Sequence, residues 1–140
     1  MSYRLQNDCS DISWEDVAGT LRSAGMASYD QALHRKAFEN SALVVFVFDG
    51  MRMIGFGRAL TDHAYQAVLY DVVVIPEYQG KGVGKLIFEG ISSRLKGCNI
   101  MLYAAPGREG FYERFGMRKM ITAMALFTDG ERMKRKGFTE

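Results

Sequence analysis

The sequence predicts one α+β domain over residues 1–140, in the order β-α-α-β-β-β-α-β-α-β(-β). Three observations predict it. Apolar β-branched and aromatic runs at residues 42–48, 53–60 and 66–75 follow one another, with the hairpin signal Asp49-Gly50 between the first two. Two helical patterns precede these runs. After them, a glycine-rich turn and an amphipathic helix lead to a fourth run at residues 99–104, the pattern of a parallel, right-handed crossover.

Each element has its own reason. Residues 3–6 suit a short edge strand. Ser13-Trp14-Glu15-Asp16 reads as a helix start: Ser13 can accept from a free backbone N–H, and the two acids favour the positive helix end. Val17, Leu21 and Ala24 recur at helical spacing, and Gly25 is a stop. A second helix is expected over residues 30–39, with Ala32, Leu33 and Ala37 inward and His34 on the surface beside Arg35 and Lys36. In residues 53–60 the glycines Gly55 and Gly57 suggest a bulge or a close backbone approach. Pro76 ends the third strand, because it cannot donate to a ladder. Val83, Ile87, Ile91 and Leu95 form one face of the following helix, and Gly97 is its expected cap. Residues 106–115 read as a short helix with Pro106 near its first turn and Gly116 at its end. Residues 120–128 are expected to supply one or two last strands, and Arg132-Met133-Lys134-Arg135-Lys136 a solvated basic tail.

Composition narrows the class. A chain of 140 residues with 48% hydrophobic and 24% charged residues can bury a core, and its 2 prolines and 12% aromatics argue against disorder. The net charge of +2 gives no case for nucleic acid or a membrane surface. No apolar run approaches the roughly 18 residues of a membrane span. The first residues, MSYRLQNDCSDISWED, have no basic leader or apolar stretch, so a cytoplasmic location without signal peptide is expected. Two cysteines, Cys9 and Cys98, do not make a disulfide framework.

The chemistry is concentrated at Gln79-Gly80-Lys81-Gly82-Val83-Gly84-Lys85. A helix N-terminus leaves about four N–H groups free and carries about half a positive charge. Glycines let the backbone turn tightly and approach a bulky anion. Between a buried strand and a helix, this loop suits a phosphate or pyrophosphate, with Lys81 and Lys85 as point charges. It is not a Walker A loop, because Gly84-Lys85 is followed by Leu86 rather than a hydroxyl. Nor is it a dinucleotide fingerprint: Gly80, Gly82 and Gly84 give G-x-G-x-G, and two helices and a hairpin come first.

Val74-Ile75-Pro76-Glu77-Tyr78-Gln79-Gly80-Lys81-Gly82-Val83-Gly84-Lys85 resembles motif A of the GCN5-related N-acetyltransferases (GNAT), [Q/R]-x-x-G-x-[G/A] after a strand ending V-x-P. Phe111-Tyr112-Glu113-Arg114-Phe115-Gly116-Met117 is similar to the family's F-Y-x-x-x-G-F. The stretch from Gly57 through Gly84 also resembles the plant chloroplast serotonin (arylalkylamine) N-acetyltransferases. The resemblance implies a three-layer α/β/α domain with about six to seven strands and about four helices. It implies acetyl-CoA as the cofactor: the backbone of Val72, Val73 and Val74 would pair with the pantetheine arm, Gln79 and the amides of residues 80–85 would take the pyrophosphate, and Tyr112 would place its hydroxyl near the thioester sulfur. It further implies a small-molecule or peptide amine acceptor, and a homodimer through the late strands as a family habit. One departure stands out. Where family members often carry a cofactor-contacting Asn, six residues before Phe111, this chain has Ala105.

Transfer from a thioester to an amine needs a neutral amine, and an alkyl amine has a pKa near 10.4. A proton acceptor is therefore needed, and an acid for the leaving thiolate. Tyr112 is the acid candidate. Asp71 is the base candidate, because a carboxylate inside Leu69-Tyr70-Asp71-Val72-Val73-Val74 is out of character for a buried strand. Asp62 with His63, or a chain of waters, are alternatives. Tyr70 and Tyr78 could line the cleft. Neither cysteine shows a paired base, so direct attack is favoured over an acyl-enzyme. No metal enters this reading. A non-catalytic acyl-CoA-binding or sensor module is the competing function, and a nucleotide-phosphate binder a third.

Overall fold

The computed structural model describes residues 2–140. Its elements are β1 (Arg4–Gln6), α1 (Trp14–Ser23), α2 (Gln31–Glu39), β2 (Leu43–Asp49), β3 (Arg52–Thr61), β4 (Gln66–Val74), α3 (Val83–Ser92), β5 (Asn99–Met101), α4 (Glu109–Glu113) and α5 (Gly130–Arg135), with a 3-10 turn over Pro76–Tyr78. The chain divides into two compact units, 1–102 and 103–140.

In the first unit five strands form one mixed sheet in the order β1-β2-β3-β4-β5. β1 to β4 are antiparallel, and β5 joins β4 in parallel. The hairpin between β2 and β3 closes at the pair Asp49↔Arg52, so its two-residue loop is Gly50-Met51, one position beyond the Asp49-Gly50 signal. Gly50 has φ +61°, the positive value that the first loop residue of a type II′ hairpin requires.

The two helical faces explain the sheet's composition. Phe38 of α2 stacks on Phe46 and meets Phe56 edge-on, Trp14 of α1 packs against Phe38 and Phe46, and Val17 and Leu21 of α1 complete that cluster. On the other face Gly55 and Gly57 admit α3. A Cβ at Gly57 would lie 2.8 Å from Ile87 Cγ2, and one at Gly55 2.8 Å from the Val73 carbonyl. Ser13 starts α1 as expected, its Oγ accepting from the Asp16 amide at 3.2 Å, and Asp30 caps α2 by accepting from the Ala32 amide at 3.3 Å.

Several expectations need correction. In α2, Leu33 is 53% exposed and Ala32 is also exposed, whereas His34 and Phe38 point inward, with His34 only 3% exposed. The reason is local. The Tyr29 backbone N–H donates to His34 Nε2 at 2.8 Å, which turns the histidine into the loop that joins α1 to α2. α3 ends at Ser92, so Gly97 does not cap it. The chain leaves the helix through tight turns (Arg94 N to Ile91 O and Leu95 N to Ser92 O, both 3.0 Å) that still bury Leu95. β5 stops at Met101 rather than residue 104.

The second unit holds α4 and α5. α4 begins at Glu109, after a turn in which Gly107 has φ +90°, rather than at Pro106. It ends at Glu113, two residues before the expected Phe115, and the chain turns away at Gly116, left-handed at φ +86°, with the Met117 N–H returning to the Tyr112 carbonyl at 3.3 Å. Residues 120–128 form no strand, and Ile121, Met124 and Leu126 are almost fully exposed. The sheet therefore has five strands instead of six to seven, and the fifth helix is supplied by the basic tail. There Asp129 accepts from the Arg132 amide at 3.1 Å and so nucleates α5. Tyr103 ties this unit's ends together through edge contacts with Phe127 at 5.6 Å and Phe138 at 5.8 Å.

Candidate functional site

The candidate site residues of the first unit lie along β4 and the loop that follows it. β5 pairs with it only over Gln66↔Asn99, Ala67↔Ile100 and Val68↔Met101. From Leu69 to Val74 that edge of β4 has no strand partner among the described residues. Apart from the Val74 carbonyl, which accepts from Gln79 Nε2, the backbone N–H and C=O groups that point away from β3 here are open to pairing by an amide-bearing chain, as in β-augmentation. Val72, Val73 and Val74 lie on this segment.

β4 is also bulged. Phe56 pairs with Val73 but Arg58 pairs with Tyr70, so Asp71 and Val72 together face Gly57. Asp71 carries the distortion, with φ +54°. Its Oδ2 accepts from Arg58 Nε at 2.8 Å, and the two side chains are 24% and 16% exposed. Arg58 is held further by Ser41 Oγ at 3.3 Å and by the rings of Phe38 (5.5 Å) and Tyr70 (5.2 Å). Sequence reasoning missed Arg58. The available signal was a second charge of opposite sign in the neighbouring apolar strand.

β4 runs directly into the glycine loop. Gln79 Nε2 donates to the Val74 carbonyl at 3.0 Å and its backbone N–H donates to the Pro76 carbonyl at 3.3 Å, so this residue ties the loop to the strand end with both groups. Gly80 and Gly82 have φ +77° and +84°, and a Cβ on either would meet nothing within 4 Å, so open space lies beside a backbone only glycine adopts easily. Gly82 is the N-cap of α3 and no side chain caps the helix, so no side chain occupies the amides of Val83, Gly84 and Lys85. The ten-residue α3 directs its dipole at the same place. These groups fit a diphosphate.

The loop's base is braced. The Tyr78 hydroxyl donates to Asp49, which pushes the Tyr78 pKa up, and Arg52 pairs with Glu77, whose carboxyl it holds below the usual range. Lys81 Nζ lies 5.3 Å over the Tyr78 ring, and Lys85 pairs with Glu89 at 3.7 Å on the surface. Tyr78 thus links the β2–β3 hairpin to the loop.

Asp62 and His63 sit at the far end of β4, about 16 Å from Asp71 at the ~3.3 Å rise of a strand. Asp62 Oδ1 accepts from the amides of Ala64, Tyr65 and Gln66 at 2.8, 2.9 and 3.1 Å, which lowers its pKa and fixes the turn. His63 is exposed at φ +59°. The Cys9 thiol is pushed up by burial, which disfavours the thiolate an acyl-enzyme requires.

In the second unit, Tyr112 lies on α4 with its ring 5.0 Å from that of Phe111. Burial raises its pKa above the ordinary tyrosine value of 10.0, so the hydroxyl keeps its proton at neutral pH. Ala105 is exposed in a turn, its carbonyl accepting from the Arg108 amide at 2.9 Å.

The family model described as acetyltransferase (GNAT) domain matches residues 10–126. The chain is 27% identical over 124 residues to the uncharacterized N-acetyltransferase ycf52 of Pyropia yezoensis, covering 84% of this chain and 64% of that protein. It is 40% identical over 111 residues to serotonin N-acetyltransferase 2, chloroplastic, of Oryza sativa subsp. japonica, covering 71% of this chain and 55% of that protein. The chain thus spans less than two-thirds of the length of these relatives. Among solved structures, a Staphylococcus aureus protein of unknown function superposes with a TM-score of 0.81 at 23% identity, covering 90% of this chain and 98% of that one. A GNAT-family protein from Xanthomonas campestris pv. campestris gives 0.81 at 25% identity, covering 93% and 96%. No helix among the described residues is long and apolar enough to cross a membrane.

Proposed function

The chain belongs to the GNAT acetyltransferase family, and from that premise we propose that it transfers an acetyl group from acetyl-CoA to a primary amine of a small molecule or peptide, by direct attack on the thioester. The observation that supports this most is the continuity of the open β4 edge with the uncapped N-terminus of α3. A ligand with an amide-bearing arm and a diphosphate matches both.

Acetyl-CoA supplies an activated acyl group on a thiol leaving group. The backbone of Val72, Val73 and Val74 holds its arm as an added strand. The amides of Gly80, Lys81, Gly82, Val83, Gly84 and Lys85 take the diphosphate, Gln79 holds the loop to the end of β4, and the two lysines add positive charge. Asp71 accepts the ammonium proton, so that the nitrogen lone pair forms the new C–N bond. Tyr112, protonated at neutral pH, donates its proton to the thiolate as the C–S bond breaks. The role of Tyr112 rests on its place in the F-Y motif and on its raised pKa.

We read residues 1–140 as one acetyltransferase domain, because the family match takes in residues of both compact units. The acceptor is a proposal of class only. The rice relative's name makes an aromatic amine the first to try. A cytoplasmic site remains our reading of compartment, with a plastid as the competing one, since several relatives are named chloroplastic.

The test has two parts. Saturating acetyl-CoA should raise the melting temperature, and thiol release should follow addition of at least one of serotonin, spermidine, kanamycin or a lysine-bearing peptide. Absence of the thermal shift refutes the reading at its first step. The Ala105 departure favours a second reading, an acyl-CoA sensor, which predicts the thermal shift without thiol release from any amine.

A further inference from the structure

We propose that Arg58 is a positioning residue: it clamps one oxygen of the Asp71 carboxylate at the β4 bulge so that the other faces the acceptor amine. This deepens the acetyltransfer reading and rests on it.

The geometry makes an ordinary stabilising ion pair an incomplete explanation. A pair with so little exposure, 16% and 24%, must first offset the desolvation of both charges. This one requires Asp71 to adopt φ +54° in mid-strand, a conformation that L residues take at a cost. A regular strand at the same place would need no such distortion. Bulges recur beside active sites because they re-aim a side chain. Here the bulge places Asp71 one residue ahead of Val72–Val74, on the segment of β4 with no strand partner on its β5 side among the described residues.

The guanidinium is immobilised from three elements. Phe38 of α2 lies 5.5 Å from Arg58 Cζ, Ser41 accepts from Nη1 at 3.3 Å, and Tyr70 of β4 lies 5.2 Å away. Nε is then aimed at Asp71 Oδ2, at 2.8 Å. A carboxylate fixed through one oxygen has a defined direction for the lone pairs of the other. That is the requirement for taking a proton from an amine in a near-attack geometry, where small misplacement is costly. Arg58 directs its hydrogen bonds to Asp71 and Ser41, so its effect travels through Asp71.

The test is a cycle of Arg58→Met, Asp71→Asn and the double variant in the full chain, using serotonin first and otherwise the fastest amine of the panel above. Arg58→Met should lower kcat at least tenfold, with the KM for acetyl-CoA and the acetyl-CoA thermal shift within twofold of the parent. The double variant should be no slower than Asp71→Asn alone, and Arg58→Lys should recover part of the loss. Should Arg58→Met fail to fold, Arg58→Lys carries the same cycle: it lowers kcat threefold or more when Asp71 is intact and has no effect in the Asp71→Asn background. An unchanged kcat, or full additivity with Asp71→Asn, overturns the proposal while leaving acetyltransfer intact. If no amine releases thiol, the enzymatic reading and this inference fall together.

Discussion

Replacing Gly57 by Ala tests whether α3, and with it the anion loop, is seated by the absence of one methyl group. In the structure a Cβ at this position falls 2.8 Å from Ile87 Cγ2, 3.2 Å from Val72 Cγ2 and 3.3 Å from Ile91 Cδ1. The first is roughly 1 Å inside the ~3.5–4.0 Å optimum for carbon atoms. Ile87 and Ile91 are fully buried, so neither can swing into solvent. Overpacking of this kind costs about 1–3 kcal/mol, which for a domain of this size lowers Tm by about 4–12 °C. If α3 instead yields by a few tenths of an ångström, the amides of Val83, Gly84 and Lys85 move with it, and acetyl-CoA stabilises the variant less than the parent. Thermal melting with and without acetyl-CoA measures both effects. Adding Ile87→Ala removes the offending methyl, so the double variant should be at least ~1 kcal/mol more stable than the sum of the single losses predicts. Strict additivity, or an unchanged Tm for Gly57→Ala, refutes the reasoning.

Tyr112→Phe should lower kcat at least tenfold with the KM for acetyl-CoA nearly unchanged; steady-state thiol release checks it, and parental turnover removes Tyr112 from the mechanism. Gly82→Ala forces a left-handed alanine at φ +84°, costing about 1–2 kcal/mol, and should weaken acetyl-CoA binding measured by calorimetry. Gly19→Ala, in α1 where a Cβ would meet the Arg22 side chain at an ordinary 4.0 Å, should leave that binding unchanged. Burial depresses the His34 pKa below 6.5, so the unfolded chain binds the extra proton first. Stability is therefore unaffected by this group above about pH 6.5 and falls as the pH drops through that value. His34→Gln should flatten the dependence of Tm on pH below 6.5.

What could be read in the sequence was what depends on local pattern. The β2–β3 hairpin, the long β4 run and the α3 stripe follow from side-chain period, and Gly80 and Gly82 show a conformation that few other residues adopt. The rest depended on contacts between distant residues. His34 is buried because the Tyr29 N–H donates to it, which no helical periodicity encodes. The β4 bulge is set by Arg58 and Asp71 meeting across strands thirteen residues apart in sequence. Residues 120–128 form an apolar run of strand length, but a strand needs an edge to pair with, and none pairs with it among the described residues. Gln79 fits its motif, yet its side chain serves the turn rather than the open space. Asp62 was legible as turn chemistry or acid–base chemistry; the three amides on its Oδ1 show the turn role.

The central claim is that main-chain groups of β4 and of the α3 N-terminus hold acetyl-CoA. Amide hydrogen exchange with and without acetyl-CoA tests it most directly. The account predicts slowed exchange concentrated at residues 72–74 and 80–85, with little change across β1, β2 and α1. Unchanged exchange in both segments at saturating acetyl-CoA, or protection confined to residues elsewhere in the chain, would contradict it.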